Sequence, residues 1–301
     1  GVYEYLEVGS YVAGLSLKIA KSSDDTESEY RVTVLDSPQV NAFAMPGGYT
    51  YVTRGLLALA NNEAEVAAVM GHEIAHVTAA HGTERQRTSI GAAILASVLG
   101  NVMNSSIANQ IIDIGATGLM AGYSRKQEYE ADDLGVRSLY RAGYDPYAGG
   151  DFLAAMCRLS EREARLSGGG RILGWLSTHP DTGDRVSRAH KIADGLVSDT
   201  SWQRNHGREA HLAAIDGMLY GDAPDEGFIR GQDFMHPILR FRFSVPEDFK
   251  LINSSQAVFA KAPDGAVIKF DMADADGSTR SYLTDIWAEG LRLRGIKEIN
   301  S

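Results

Sequence analysis

The sequence predicts an α+β fold: a mainly helical domain that carries a small sheet with an exposed edge, followed by a small α+β module. Residues 62–166 consist largely of segments of helical length with capping residues at their starts. Short alternating runs at 30–53 indicate strands, and strand patterns return after a glycine-rich stretch at 221–231. We therefore expect a domain at 1–220, a linker at 221–237 and a module at 238–301, whose role the sequence does not indicate.

The first part of the chain is predicted to contain one helix and the small sheet. Residues 1–20 are expected to form a helix that packs on the domain, and Tyr30–Leu35 alternates β-branched and polar residues as a strand does. Asn41–Thr53 predicts a hairpin that turns at Pro46-Gly47-Gly48, where glycine can supply a positive φ. The edge of this hairpin could hold a peptide by backbone pairing, and a hairpin with a purely structural role is the alternative.

The next helix carries the first group of candidate catalytic residues. Asn62 can cap it, Glu65 stands where a capping carboxylate helps, and a run of apolar residues follows. His72 and His76 lie about 40° apart around the helix, so both imidazoles can bind one metal ion. Glu73 projects off that face and can act on a metal-bound water without binding the metal. A histidine–glutamate pair among apolar residues requires a strong partner, which favours a zinc site over a solvated surface helix.

A catalytic zinc site usually has three protein ligands, so one more ligand is required. His81 is one residue short of the position where a metzincin has its third histidine, and that position holds Gly82. On a continuing helix His81 would point about 180° away from His72. We therefore expect His81 to lie outside the metal site.

The acidic segment 124–133 is the better source of a third ligand. Glu128 and Asp132 are four residues apart and share one helical face. This spacing allows Glu128 to bind the metal while Asp132 orients a ligand histidine through its second ring nitrogen. Glu130 lies on another side of the helix and is expected to face solvent. A solvated acidic helix is the alternative, which the histidine pair upstream makes the weaker one.

Turn and capping residues predict the remaining elements. Helical segments are predicted at 90–122, 124–142, 145–166 and 205–220, and the first of them could form either a lid over the site or a buried pair of core helices. His179 is predicted to lie in a loop before a helix that starts at Asp181 or Thr182. Strands are predicted at 239–245, 257–262 and 266–271, followed by a helix near 282–293.

Several motifs of the chain occur together in one known family. They are Asn41–Tyr49, Thr53–Leu57, Asn62–His76, Ser124–Asp132, and Ser177-Thr178-His179-Pro180 followed by Arg185. Across residues 30–195 the chain resembles the CAAX-prenyl-protease-type zinc metallopeptidases. These are gluzincins that include the HtpX-like membrane-bound heat-shock proteases and the soluble periplasmic BepA-like enzymes. The last motif is typical of the soluble bacterial branch.

The resemblance implies a set of roles for individual residues. Zinc would be bound by His72, His76 and Glu128, with Asp132 behind a ligand histidine. His179 would lie near the metal, either as a fourth ligand that plugs the resting site or as an oxyanion donor, and we favour the plug. Arg185 would help to stabilise the oxyanion or order the His179 loop.

Composition limits the partners and the location of the protein. The formal net charge is −10 and no long Lys/Arg cluster occurs, which argues against nucleic acid as a partner. The single cysteine excludes an intramolecular disulfide framework. The longest apolar run, Ile90–Leu99, is too short to span a membrane, which favours the soluble branch. The resemblance then implies a periplasmic or membrane-associated extracytoplasmic protein, compatible with peripheral membrane or envelope-complex association.

Together these features predict a zinc-dependent endopeptidase that hydrolyses misfolded or unfolded polypeptides of the envelope. In this mechanism Glu73 takes a proton from a zinc-bound water and delivers it to the leaving amine. The alternative is a non-proteolytic chaperone or binding protein that retains a zinc site. The intact Glu73 argues against this alternative, because a structural zinc site needs no general base.

Overall fold

The computed structural model describes residues 1–26, 28–45, 47–84, 122–167, 174–180, 183–197, 203–253, 257–271 and 278–288. It divides into two compact units, Gly1–Gly221 and Asp222–Ser301. None of the helices in these ranges is both long and apolar enough to cross a membrane. The segment at 90–122, for which a lid and a buried pair of core helices were the alternatives, lies almost entirely outside the described residues.

The first unit is mainly helical and contains one small sheet. Its helices are α1 Leu6–Ala20, α2 Arg54–Leu59, α3 Glu63–Thr78, α4 Arg125–Arg141, α5 Ala148–Ser167, α6 Gly174–Thr178, α7 Arg185–Leu196 and α8 Arg208–Ile215. Its strands are β1 Arg31–Leu35, β2 Ala42–Met45 and β3 Tyr49–Thr53. The sheet order is β1-β3-β2, with β3 parallel to β1 and antiparallel to β2. The predicted hairpin is therefore confirmed, and β2 is an edge strand of this sheet.

Helix α3 runs through the hydrophobic core of this unit, and this position explains the burial of its polar residues. Asn62 caps it by accepting a hydrogen bond from the Glu65 amide at 3.0 Å. Every residue from Ala64 to His76 is buried. Because one turn of an all-round buried helix contains His72, Glu73 and His76, these polar groups need partners inside the protein.

Two glycines allow α3 and α4 to approach closely beside the histidines. A Cβ atom added at Gly71 would lie 3.2 Å from the Gly135 carbonyl oxygen, and one added at Gly135 would lie 3.0 Å from the backbone nitrogen of His72. A side chain at either position would push the helices apart. The close crossing brings the second half of α3 next to the first half of α4, where Glu128 and Asp132 lie.

The segment that carries His179 differs from the expectation. His179 directly follows the short helix α6, and the next helix starts at Arg185 with Asp184 as its N-cap residue, later than the predicted start at Asp181 or Thr182. Gly183 has a φ of +74°, which a right-handed helix cannot contain, so the helix can begin only after it. Residues 181–182 lie outside the described residues.

The second unit contains two three-stranded antiparallel sheets, β4-β5-β6 and β7-β8-β9, around Phe234, Leu251 and Val258. Its elements are β4 Phe228–Arg230, β5 Asp233–His236, β6 Phe241–Ser244, β7 Lys250–Asn253, β8 Ala257–Lys261, β9 Val267–Asp271, α9 Thr279–Ser281 and a π-helix at Tyr282–Trp287.

The predicted linker at 221–237 is wrong, because β4 and β5 lie within it. Its glycines predicted a turn-rich linker, and Gly227 and Gly231 do have positive φ, but their turns flank the strand β4. A three-residue strand such as β4 is too short to produce a recognisable alternation in the sequence.

Candidate metal centre

Four buried side chains from three separate parts of the chain converge at one point. One ligand atom from each of His72, His76, Glu128 and His179 lies within 4.8 Å of the other three. His72 Nε2 is 3.0 Å from His76 Nε2, 3.1 Å from His179 Nδ1 and 3.5 Å from Glu128 Oε2. Each of these side chains is 5% exposed or less. This cluster is the candidate metal centre.

The electrostatics of this cluster suit a bound cation. Burial lowers the pKa of His72, but the Asp132 and Glu128 carboxylates outweigh burial and raise that pKa from 6.5 to about 9. Burial and the neighbouring histidines lower the pKa of His76 well below 6.5, so its ring is neutral. Burial raises the pKa of Glu128, but hydrogen bonds with His179 and His72 outweigh burial and lower that pKa. A cation that binds here therefore meets an ionised carboxylate and displaces a proton from His72.

Asp132 and Arg185 lie behind the cluster. His72 Nδ1 is 2.9 Å from Asp132 Oδ1, and Arg185 donates two hydrogen bonds to the same carboxylate at 2.8 and 2.7 Å. Arg185 Nη1 also lies 2.6 Å from Glu128 Oε2 and donates to the His179 carbonyl at 3.3 Å. The Arg185 side chain is fully buried. It thus connects α4 with the segment that carries His179.

Glu73 is fully buried beside the cluster. Its Oε1 accepts a hydrogen bond from the Trp175 indole nitrogen at 3.0 Å and lies 3.4 Å from His179 Nε2. Its Oε2 has no hydrogen-bond partner among the described residues. A buried carboxylate oxygen without a partner is costly, and the same carboxylate lies beside the candidate ligand His179.

Trp175 was not predicted from the sequence. Its ring stacks on that of His179 with centroids 4.7 Å apart and an angle of 16° between the planes. A signal was available, because Trp175 precedes His179 by four residues and so shares one face of a short helix with it.

His81 lies outside the ligand group, as expected, but for a different reason. Helix α3 ends at Thr78 and Ala80 has a φ of +54°, so α3 does not continue to His81, which begins a new helical turn at 81–84. His81 is consequently buried, with its Nδ1 2.9 Å from His76 Nδ1. Glu130, expected in solvent, is half exposed, and its Oε2 lies 3.5 Å from His81 Nε2.

Two helical histidines and a glutamate converge in the core with a further carboxylate at their side, which is the kind of ligand set that metal-dependent hydrolases use. The chain belongs to peptidase family M48, whose family model matches residues 10–193. Relatives that match the chain are named as a metalloendopeptidase and as a protease. The matched segment contains all four residues of the candidate metal centre.

Three curated relatives illustrate the similarity. Mitochondrial metalloendopeptidase OMA1 of Arabidopsis thaliana is 36% identical over 191 residues, which cover 63% of this chain and 36% of the relative. The beta-barrel assembly-enhancing protease of Escherichia coli K12 is 28% identical over 198 residues, which cover 62% of this chain and 39% of the relative. Mitochondrial metalloendopeptidase OMA1 of Schizosaccharomyces pombe is 27% identical over 180 residues, which cover 59% of this chain and 51% of the relative. The chain thus spans between about a third and a half of the length of these relatives.

Proposed function

We propose that the protein is a zinc-dependent endopeptidase of the gluzincin type that cleaves misfolded or unfolded polypeptides. The observation that carries this proposal is the convergence of His72, His76 and Glu128 next to the unpartnered Glu73 Oε2. A zinc ion bound by these three residues would polarise the substrate carbonyl and lower the pKa of water. The buried mixture of imidazole and carboxylate donors fits zinc chemistry.

Glu73 acts as the general base and then as the general acid. Its Oε2 accepts a proton from the attacking water and passes that proton to the leaving amine. The indole N–H of Trp175 occupies Oε1 and so leaves Oε2 as the oxygen available for this transfer. Asp132 Oδ1 lies 2.9 Å from His72 Nδ1, and this carboxylate would thereby direct His72 Nε2 towards the metal.

Arg185 acts in this proposal as a positioning residue. Its side chain contacts Asp132, Glu128, the backbone of the His179 segment and the Trp175 ring, and it has no exposed surface. A guanidinium in this position is better placed to hold the third ligand and the His179 segment than to approach a substrate oxyanion. These contacts favour a role for Arg185 in ordering the His179 segment over a role in stabilising the oxyanion.

The substrate would pair with the edge strand β2. A cavity of about 80 Å³ adjoins both this strand and the cluster, and its lining includes Ala44, Met45, His76 and Tyr123. Backbone pairing with β2 would hold an extended segment largely independently of its sequence, as an enzyme for unfolded chains requires. We extend the proposal to substrates of the cell envelope and to a periplasmic or membrane-associated location, with the beta-barrel assembly-enhancing proteases as the supporting relatives.

The proposal is tested by hydrolysis of unfolded casein by the purified chain. We expect cleavage that a chelator abolishes and that one equivalent of zinc restores, measured by release of labelled peptides. Casein that stays intact while the protein suppresses its aggregation would instead support the non-proteolytic chaperone.

His179 provides a second prediction. Its Nδ1 lies 3.1 Å from both His72 Nε2 and Glu128 Oε1, which favours a fourth ligand that closes the resting site. Replacing His179 with alanine should then raise kcat/KM for a short unstructured peptide, by about tenfold if one molecule in ten is open at rest. If His179 is instead an oxyanion donor, the same replacement should lower kcat by about 10²–10³-fold.

The measurement needs a control for metal loss. Zinc content of the His179→Ala protein should be determined in the same samples, and the rate expressed per bound zinc. His190→Ala is a matched control, because that histidine lies on α7 and pairs with Asp151, away from the cluster. A fall in the rate per zinc would refute the plug and leave the oxyanion role.

A further inference from the structure

His81 forms a second contact layer behind the candidate metal centre. Its Nδ1 lies 2.9 Å from His76 Nδ1, the ring nitrogen that faces away from the cluster, and its Nε2 lies 3.5 Å from Glu130 Oε2. His81 is only 3% exposed, although it stands just after the end of α3. This chain of contacts runs from His76 in the core to the half-exposed Glu130.

The backbone before His81 adopts an unfavourable conformation that makes this contact. Ala80 has a φ of +54°, in the left-handed region that residues with a Cβ atom rarely adopt. Such conformations persist where the surrounding structure stabilises them, and they concentrate at functional sites. Here the left-handed residue turns the chain so that the His81 ring packs against the ring of His76, with centroids 5.1 Å apart.

The proton positions along this chain follow from the chemistry of imidazole. His76 Nε2 faces the cluster, 3.0 Å from His72 Nε2 and 3.6 Å from Glu128 Oε1, so it must offer a lone pair to a metal. A neutral imidazole has one N–H, which then lies on Nδ1 of His76 and donates to His81 Nδ1. His81 must accept at Nδ1 and therefore has its own proton on Nε2, directed at Glu130.

We propose that His81, supported by Glu130, is a positioning residue that sets the ring orientation and tautomer of His76 and thereby the affinity of the site for metal. The inference rests on the proposed metal centre and adds a residue to it. It makes His76 the counterpart of His72, whose Nδ1 has Asp132 as its partner. One ligand histidine is thus oriented by a carboxylate and the other by a second histidine.

Tyr123 restrains His76 in a different way. Its ring stacks on the His76 ring with centroids 3.7 Å apart and an angle of 18°. Stacking fixes the plane of the imidazole but does not select which nitrogen points to the metal. The hydrogen bond with His81 supplies that selection, so removing it should weaken binding even though the stacked ring remains.

The test compares the zinc affinity of the full chain with that of His81→Leu and His81→Asn, measured by competition with a chromophoric chelator. Leucine fills similar space without an acceptor, and the asparagine Oδ1 stands where His81 Nδ1 stands and can accept from His76. We expect the zinc Kd to rise about 10–100-fold in His81→Leu, with at least half of this loss, on a logarithmic scale, recovered in His81→Asn. Ala80→Gly relaxes the turn and removes only a methyl group, so this variant should bind zinc as the wild type does.

Two further readouts separate positioning from general packing. The Tm of the metal-free form should be similar in His81→Leu and His81→Asn, and the visible absorption of the cobalt(II)-loaded protein should change in His81→Leu and return towards the wild-type spectrum in His81→Asn. Glu130→Gln, at a half-exposed position that tolerates substitution, should raise the zinc Kd only a few-fold, by about threefold.

Three results would overturn the proposal. One is a zinc Kd in His81→Leu that stays within about threefold of the wild type, because loss of a residue that orients a metal ligand should raise the Kd about 10–100-fold. Another is an equal loss in His81→Leu and His81→Asn, which would point to packing of the ring. The third applies if His81→Leu does not fold: it is a Glu130→Gln protein whose zinc Kd and cobalt spectrum are both unchanged from the wild type. A wild-type chain that binds no zinc would instead refute the metal centre itself, so the two failures are distinguishable.

Discussion

Replacing Glu73 with glutamine is expected to leave zinc bound and to lower kcat by about 10²–10⁴-fold or more, the range for loss of a general acid–base group. The change keeps the shape of the side chain and the acceptor for the Trp175 N–H, but it removes the carboxylate oxygen that receives a proton. Glu73 lies outside the group of four candidate ligands, so metal affinity should be retained. Hydrolysis of casein and metal analysis on the same preparation would check both parts.

The control for this variant is a charge loss elsewhere on the same helix. Glu65→Gln removes a buried carboxylate near the start of α3, where Glu65 bonds with Asn61, and lies far from the cluster along the helix. This variant should cost stability and leave turnover per folded molecule unchanged. Normal turnover in Glu73→Gln would reject Glu73 as the general base, and lost metal would place it among the ligands.

Replacing Glu128 with glutamine is expected to reduce zinc affinity by at least about 10²-fold, because even partners that only orient a ligand contribute 10–100-fold. Glu128 is fully buried, its ionised form is stabilised by His72 and His179, and it is a candidate ligand. The neutral amide keeps the volume but removes the negative charge, and it leaves Arg185 Nη1 without that partner. Competition with a chelator and metal content after dialysis would measure the loss.

Glu130→Gln is the matched control, since it makes the same change two residues later on α4 and at a half-exposed position. It should weaken zinc binding only a few-fold. A larger loss from Glu130→Gln than from Glu128→Gln would show that the third ligand had been assigned to the wrong side of α4. A large loss from both would indicate that the helix itself had shifted, which the Tm of the metal-free form would reveal.

The sequence by itself determined the features that depend on local periodicity. The spacing of His72 and His76 puts two imidazoles on one face of a helix whatever surrounds it, and Asn62 marks where that helix starts. The glycine turn between β2 and β3 likewise predicts the hairpin, because a positive φ at 47 and 48 follows from the local residues. Such features need no knowledge of the rest of the chain.

Two sequence-based expectations failed because a local pattern had more than one structural outcome. The glycine-rich stretch at 221–231 suggested a linker, but Gly227 and Gly231 serve the turns on either side of the short strand β4. His81 was placed opposite His72 on the assumption that α3 continues. One left-handed residue, Ala80, changes the direction of the chain and turns His81 towards His76.

Only the tertiary structure decided how side chains from different elements meet. The approach of α3 to α4 depends on Gly71 and Gly135, where the backbones of the two helices come close together. No sequence motif around either glycine indicates this contact. Trp175 and His179 reach the cluster from α6, although they lie about a hundred residues beyond α3 in the sequence. Periodicity specifies which face of a helix a residue occupies, but contacts between helices depend on packing over the whole core, which no short stretch of sequence contains.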